Sequence, residues 1–197
     1  MNILIAQVAE GVTAPSVSAR RRIEAGDSFG TIVLMIVFSY LVVMIFTGLL
    51  TDTFQVREQD AFSFHLRSFF LKCVEVFVIG IAVFAVGRMF GGTGGRPETF
   101  AVVAWHTLVT SFLSPLFLMG QDAITLPAEG ADPTQVPQAD GVKLLLVLLF
   151  VGLWLWLMAK YVAELHGFKS IWMVVVGVVV TQFCFGLLAV ILLPGLT

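Results

Sequence analysis

The sequence predicts an all-α polytopic membrane protein, a five-helix transmembrane bundle with a short amphipathic N-terminal segment. Its 197 residues are 58% hydrophobic and 12% charged, whereas a soluble domain is roughly 45–50% apolar and about 25% charged. Five apolar runs reach the ~20 residues that cross a ~30 Å hydrocarbon core. They do not alternate with a period of two, which excludes a membrane β-barrel. The net charge of −2 offers no basic surface for nucleic acid.

Residues 1–28 are expected to form a partly amphipathic N-terminal segment in the cytoplasm. Ile3, Leu4, Val8 and Val12 suit one face of a helix, and such a helix can lie in the membrane surface. Pro15 should end that helix, because proline removes a backbone donor and clashes with the preceding turn.

The membrane domain, residues 29–197, contains the five apolar runs. The predicted spans are about 29–50, 68–90, 99–119, 142–161 and 171–193. The second and third carry polar residues and are expected inside the bundle. Pro115 should bend the third. The fourth has a core without polar side chains, Leu144 to Ala159, which is expected to face lipid or a partner protein.

The basic residues predict the orientation, because lysine and arginine favour the cytoplasmic side. One side of the five-span scheme receives seven of the eleven: Arg20, Arg21, Arg22, Arg88, Arg96, Lys160 and Lys169. The N-terminus is therefore expected in the cytoplasm and the C-terminus outside the inner membrane. The proline-containing segment 120–141 should be an extended loop on the outer side.

Four polar residues inside the spans are candidates for a function: Glu75, Lys72, His106 and Gln182. Lys72 lies three residues before Glu75 and can pair with it, and Gln182 can share a layer with Glu75 and hydrogen-bond to it. Structural pairing, an ion or proton site, and exposure at an interface remain open for Glu75. His106 is expected to be a hydrogen-bonded packing residue.

No catalytic, cofactor or metal site is predicted. The three histidines fall in separate segments, and Cys73 and Cys184 lie within spans, so neither a zinc site nor a disulfide framework is indicated. The glycines of "GGTGG" follow a helix and lack the Gly-Lys-Ser/Thr of a phosphate loop. They are expected to form a turn, with Pro97 and Glu98 in the first turn of the next helix.

The stretch "VAELHGFKSIW", residues 162–172, is expected to be a cytoplasmic hairpin between the last two spans. Lys160 and Lys169 flank it and can extend toward lipid head groups. Gly167 suits the helical corner. Glu164 and His166 are two residues apart, so they would not share a helical face and do not form a catalytic dyad.

Three of these features resemble bacterial members of the Yip family, which contain the Yip-one domain. They are the last inter-helix turn "YVAELHGFKSIWMVVV", the glycine-rich turn "FGGTGGRPETF", and the break at "SFLSPLF". The five-span plan is also similar, and the resemblance covers roughly Arg20 to Leu193. The residues that carry it are Gly91, Gly92, Gly94, Gly95, Pro115, Glu164, His166 and Gly167.

The resemblance implies a non-enzymatic integral membrane protein without cofactors that organises membranes or protein partners. Membrane lipids, other membrane proteins or a second copy of the chain are the expected partners. Eukaryotic relatives bind Rab-type (Ypt) GTPases and have a longer acidic-aromatic N-terminal region. This chain has no such motif in residues 1–28, so a GTPase partner is not implied. A small transporter, channel or ion-binding protein using Glu75, Gln182 and His106 is the alternative.

Overall fold

The structure is a computed structural model that describes residues 2–50, 58–121, 123–125 and 138–180. Eight helices occur in these ranges: α1 (Asn2–Thr13), α2 (Pro15–Ala25), α3 (Phe29–Leu50), α4 (Glu58–Met89), α5 (Arg96–Ser111), α6 (Ser114–Leu118), α7 (Gly141–His166) and α8 (Ile171–Val180). Two strands, β1 (Ile124–Thr125) and β2 (Gln138–Ala139), form a two-residue antiparallel pair in the expected loop. The described chain is otherwise helical.

Within the described ranges, three helices are long and apolar enough to cross a membrane: Phe29–Leu50, Ser63–Met89 within α4, and Gly141–His166. The first matches its predicted bounds. The fourth predicted span continues five residues further, to His166, because Tyr161, Val162 and Leu165 are buried at this end of α7. The fifth is described only as far as Val180.

The third predicted span is the buried centre of the fold, as expected, but it is broken into α5 and α6. Residues 101–111 are all buried, with α3, α4, α7 and α2 packed around them. The hydroxyls of Thr107 and Thr110 donate to the carbonyls of Val103 and His106. These hydrogen bonds remove the free-energy cost of burying an unpaired hydroxyl inside the bundle. The break before Ser114–Pro115 confirms the predicted bend.

The expectation that the second span lies inside the bundle is wrong. Only 11% of the apolar window of α4 is buried, and the other residues of the window, apart from a few such as Val76, are exposed or half-buried. Its polar residues do not require burial, because Lys72 and Glu75 pair with each other. The helix also begins ten residues before the predicted start, and the Tyr40 hydroxyl of α3 hydrogen-bonds to His65 in this added part of α4.

The N-terminal segment corrects a further expectation. Its first helix ends at Thr13, before Pro15, as predicted. However, Leu4, Val8 and Val12 pack into the core beside α5, and Ile3 is exposed. The apolar face of α1 is therefore used to join the bundle, and α1 and α2 form a helical hairpin against α5 and α7.

Helix ends follow local chemistry. The Asp140 side chain accepts hydrogen bonds from the N–H groups of Val142 and Lys143, at 3.0 and 3.2 Å, and so caps α7. Pro97 and Glu98 lie in the first turn of α5, as predicted. Gly26 ends α2 with a φ of 60° in the left-handed region, where glycine is favoured.

Candidate functional site

His166 is the centre of a junction where the glycine-rich turn after α4 meets the turn after α7. Its side chain is 2% exposed at the end of α7. A Cβ atom added at Gly87 would lie only 2.1 Å from Nε2 of the imidazole ring, and one added at Gly92 would lie 2.5 Å from Nδ1. The glycines of α4 and of the following turn therefore create the space that the ring occupies. Among the described residues, neither ring nitrogen makes a hydrogen bond of ordinary length and angle, although the ring interacts with the backbone of Val83.

Backbone hydrogen bonds hold the glycine turn against α7. The N–H of Thr93 donates to the carbonyl of His166 at 3.3 Å, and the N–H of Gly92 donates to Gly87 at 2.8 Å. A Cβ at Gly94 would lie 2.8 Å from Cγ of Leu165. The turn thus packs on α7 at two successive residues, Leu165 and His166. The sequence did not predict this contact, because the two segments are far apart along the chain.

Gly167 forms the corner that the sequence predicts. Its φ of 69° lies in the left-handed region. The next N–H, that of Phe168, donates to the carbonyl of Ala163 at 2.9 Å and satisfies the helix end. The Phe168 ring then stacks on the His166 ring with centroids 5.5 Å apart.

Glu164 lies on another face of α7 and contacts the N-terminal hairpin. Its Oε1 accepts from Arg20 Nε at 2.8 Å and Nη2 at 2.6 Å. The hydrogen bond to the Glu164 carboxylate raises the pKa of the exposed Arg20 guanidinium above its ordinary value. Since exposed ion pairs contribute little stability, this pair orients α2 more than it stabilises it.

Two buried aromatic residues fix the same hairpin more firmly. Trp105 Nε1 donates to Ser18 Oγ at 2.8 Å, and Arg22 lies over the indole ring at 4.1 Å. The Tyr161 hydroxyl donates to the carbonyl of Gly11 at 2.9 Å. Sequence reasoning missed Trp105 and Tyr161; a hydrogen-bonding aromatic inside an apolar run was the signal that could have indicated them.

The junction therefore gathers residues from three parts of the chain: α2, the glycine turn after α4, and the end of α7. The predicted residues found in it are Gly92, Gly94, Glu164, His166 and Gly167. Gly91 shapes the same turn with a φ of 79°, and Gly95 precedes α5 as its N-cap. Pro115 lies elsewhere, at the start of α6.

Lys72 and Glu75 form the expected ion pair on α4. Lys72 Nζ lies 2.9 Å from Oε2 and 3.1 Å from Oε1 of Glu75. At 1.5 Å per residue, Glu75 lies ~18 Å from Ser63 and ~21 Å from Met89. Glu75 is therefore near the middle of the apolar window. The predicted span, which starts at residue 68, had placed it closer to the end of the helix.

A cavity of about 640 Å³ lies beside this pair, between α4, α7 and α8. Trp154, Met158 and Val174 are among its apolar walls, and Glu75 is the charged residue that lines it. The predicted hydrogen bond between Glu75 and Gln182 involves a residue that lies outside the described ranges. Cys184 also lies outside them.

His106 faces a different neighbour. Its Nε2 lies 3.2 Å from the carbonyl of Trp154, and its ring meets the rings of Trp154 and Tyr161 edge-on. It is buried between α5 and α7 as a hydrogen-bonded packing residue, as expected. No three His, Cys, Asp or Glu side chains within the described ranges are grouped to hold a metal ion.

A chain whose described part is mainly helical, with membrane-length helices that expose apolar side chains and surround a buried helix, is an integral membrane protein. The comparison with protein families then specifies it further. The Yip1 domain model matches residues 11–192, and the chain belongs to that family. No curated protein and no solved structure matches the chain.

Proposed function

We propose that this Yip1-domain protein is a non-enzymatic, five-span membrane organiser or accessory subunit, in a role similar to membrane trafficking, that binds other membrane proteins or a second copy of itself. Its junction of α1, α2 and the two turns is cytoplasmic, and its C-terminus lies outside the inner membrane. The seven basic residues at the junction end support this orientation. In this scheme α5 with α6 is the third crossing, and α8 begins the fifth.

The Lys72–Glu75 pair carries the proposal of a protein partner. Glu75 is 52% exposed and Lys72 is 27% exposed on an otherwise apolar surface of α4. A charge near the bilayer centre costs ~2.5–3.5 kcal/mol on insertion scales. Mutual pairing offsets part of this cost, but hydrocarbon supplies no further hydrogen bonds. Polar groups of a partner helix packed over the pair would supply them.

Photo-cross-linking in native membranes tests this partner surface. A photoreactive amino acid at Val74, which is exposed beside the pair, should give a discrete protein adduct. Replacing the pair with Lys72→Met and Glu75→Gln should reduce the adduct about tenfold, as expected for a loss of ~1.4 kcal/mol. The same probe at Leu145, exposed on α7, is the matched control. An equal yield with and without the pair would refute the proposed contact.

The alternative function, a transporter that uses Glu75, predicts measurable ion flux that depends on this carboxylate. His106 is buried between α5 and α7 and is not among the residues that line the cavity beside Glu75. We expect proteoliposomes containing the wild-type protein and the Glu75→Gln variant to show equal, negligible flux of protons and monovalent cations. Flux in the wild type that is lost in Glu75→Gln would establish the transporter function instead.

A further inference from the structure

A second cavity, of about 310 Å³, lies where α2, α7 and the start of α8 meet. Its wall includes Ser16, Lys160, Gly167, Phe168, Lys169 and Ile171. We call it the lysine cleft. It is separate from the intramembrane cavity beside Glu75, although Phe168 borders both.

The charge balance of the lysine cleft differs from that of the nearby arginine cluster. Arg20, Arg21 and Arg22 are paired with Glu164, Glu10 and Asp27, respectively. Lys160 and Lys169 have no ion-pair partner among the described residues. Glu164 also borders the cleft, but its carboxylate is engaged by Arg20. The cleft therefore keeps two uncompensated positive charges.

Its other polar groups also suit an anion. Helix α2 begins at the cleft with Pro15 and Ser16 and has no side-chain cap. Backbone N–H groups at an uncapped helix start attract anions. The Ser16 hydroxyl can donate a further hydrogen bond to such an anion, in addition to those from the two lysine ammonium groups.

The surroundings of the lysine cleft are those of a membrane interface. Lys160 lies in the last two turns of a membrane-length helix, and Lys169 lies two residues before α8. Trp172, next along α8, is 75% exposed, and tryptophan favours the head-group layer. Phe168 and Ile171 add apolar side chains to the lining of the cleft.

We propose that the lysine cleft binds the phosphate of an anionic phospholipid head group. Lys160 and Lys169 hold the phosphate oxygens, while Phe168 and Ile171 contact the upper part of an acyl chain. The apolar wall favours a lipid over soluble phosphate. This site requires no protein partner and is independent of the contact proposed at Lys72 and Glu75.

Native mass spectrometry of the full chain tests this site. Protein released from nanodiscs containing equal amounts of phosphatidylglycerol and phosphatidylcholine should retain phosphatidylglycerol preferentially. The double variant Lys160→Gln/Lys169→Gln should lose roughly 30-fold in this preference, because two lysines near a membrane surface together contribute ~2 kcal/mol and each 1.4 kcal/mol corresponds to tenfold. Lys160→Arg/Lys169→Arg should restore it.

Lys143→Gln is the matched control, because Lys143 lies in the first turn of the same helix, at its opposite end. It should keep the full preference. Thermal unfolding of each variant verifies that the fold is retained. An unchanged preference in the double glutamine variant, or an equal loss in Lys143→Gln, would overturn the site. Complete displacement of the lipid by millimolar inorganic phosphate would show that the source is soluble phosphate and would also overturn it.

Discussion

Replacing Trp105 with alanine should detach the N-terminal hairpin and lower the free energy of unfolding by about 3–5 kcal/mol, the range for removing a large aromatic side chain from a packed core. Trp105 is 1% exposed and belongs to the main buried cluster. The change removes the hydrogen bond to Ser18 and the contact with Arg22, both on α2. Thermal unfolding in detergent measures the stability, and the rate of tryptic cleavage at the arginine cluster measures detachment.

Two variants separate the contributions of Trp105. Trp105→Phe keeps most of the apolar contact but lacks the N–H donor, so its stability should fall between those of the wild type and Trp105→Ala. Trp172→Ala removes an exposed indole and should leave both measurements close to wild type. Equal destabilisation by Trp105→Ala and Trp172→Ala, with no increase in cleavage, would show that Trp105 does not hold the hairpin.

Local chemistry made several elements predictable. The apolar run of α3 begins and ends where predicted because charged or turn-forming residues flank it on both sides. The turn at Gly167 and the break at Pro115 were also predictable, because each of these residue types changes the allowed backbone conformation. The pairing of Lys72 with Glu75 also follows from helical spacing alone.

Long-range packing was not predictable in the same way. Ser18 and Trp105 are 87 residues apart, and Gly11 and Tyr161 are 150 residues apart. An amphipathic face such as that of α1 fits a membrane surface or a helix bundle equally well, so its pattern could not decide between them. The start of α4 was placed too late because Arg67 and the polar residues before it lower the local hydropathy without ending the helix.

The site shows the same division between local and long-range information. The sequence singled out the two glycine turns and the Glu164–His166 pair as separate features, each tied to a resemblance. It did not show that Gly87 and Gly92 make room for the His166 ring. The spacing of the glycines suits any close helix contact, and only the fold shows which side chain they contact.

Gly87→Ala is expected to destabilise the junction despite its local benefit to α4. Alanine is ~1 kcal/mol more favourable than glycine inside a helix. The new methyl group, however, would overlap the His166 ring, which is buried and stacked on Phe168. Overpacking of this kind costs typically ~1–3 kcal/mol, and two backbone hydrogen bonds around the glycine turn restrict relaxation. We therefore expect a net loss of thermal stability, measured by unfolding in detergent.

The double variant Gly87→Ala/His166→Ala tests the cause of this loss. His166→Ala alone should also destabilise the protein, because it leaves a cavity. If the clash with the ring is the cause, the double variant should be more stable than the sum of the two single changes predicts, since the added methyl group then fills part of that cavity. Gly152→Ala is the control, because no side chain or neighbouring segment of the described residues lies within 4 Å of its Cβ position on α7, and it should be neutral or stabilising. Additive losses in the double variant would mean that His166 and Gly87 do not share this space, and the junction would then depend on the backbone hydrogen bonds of the glycine turn alone.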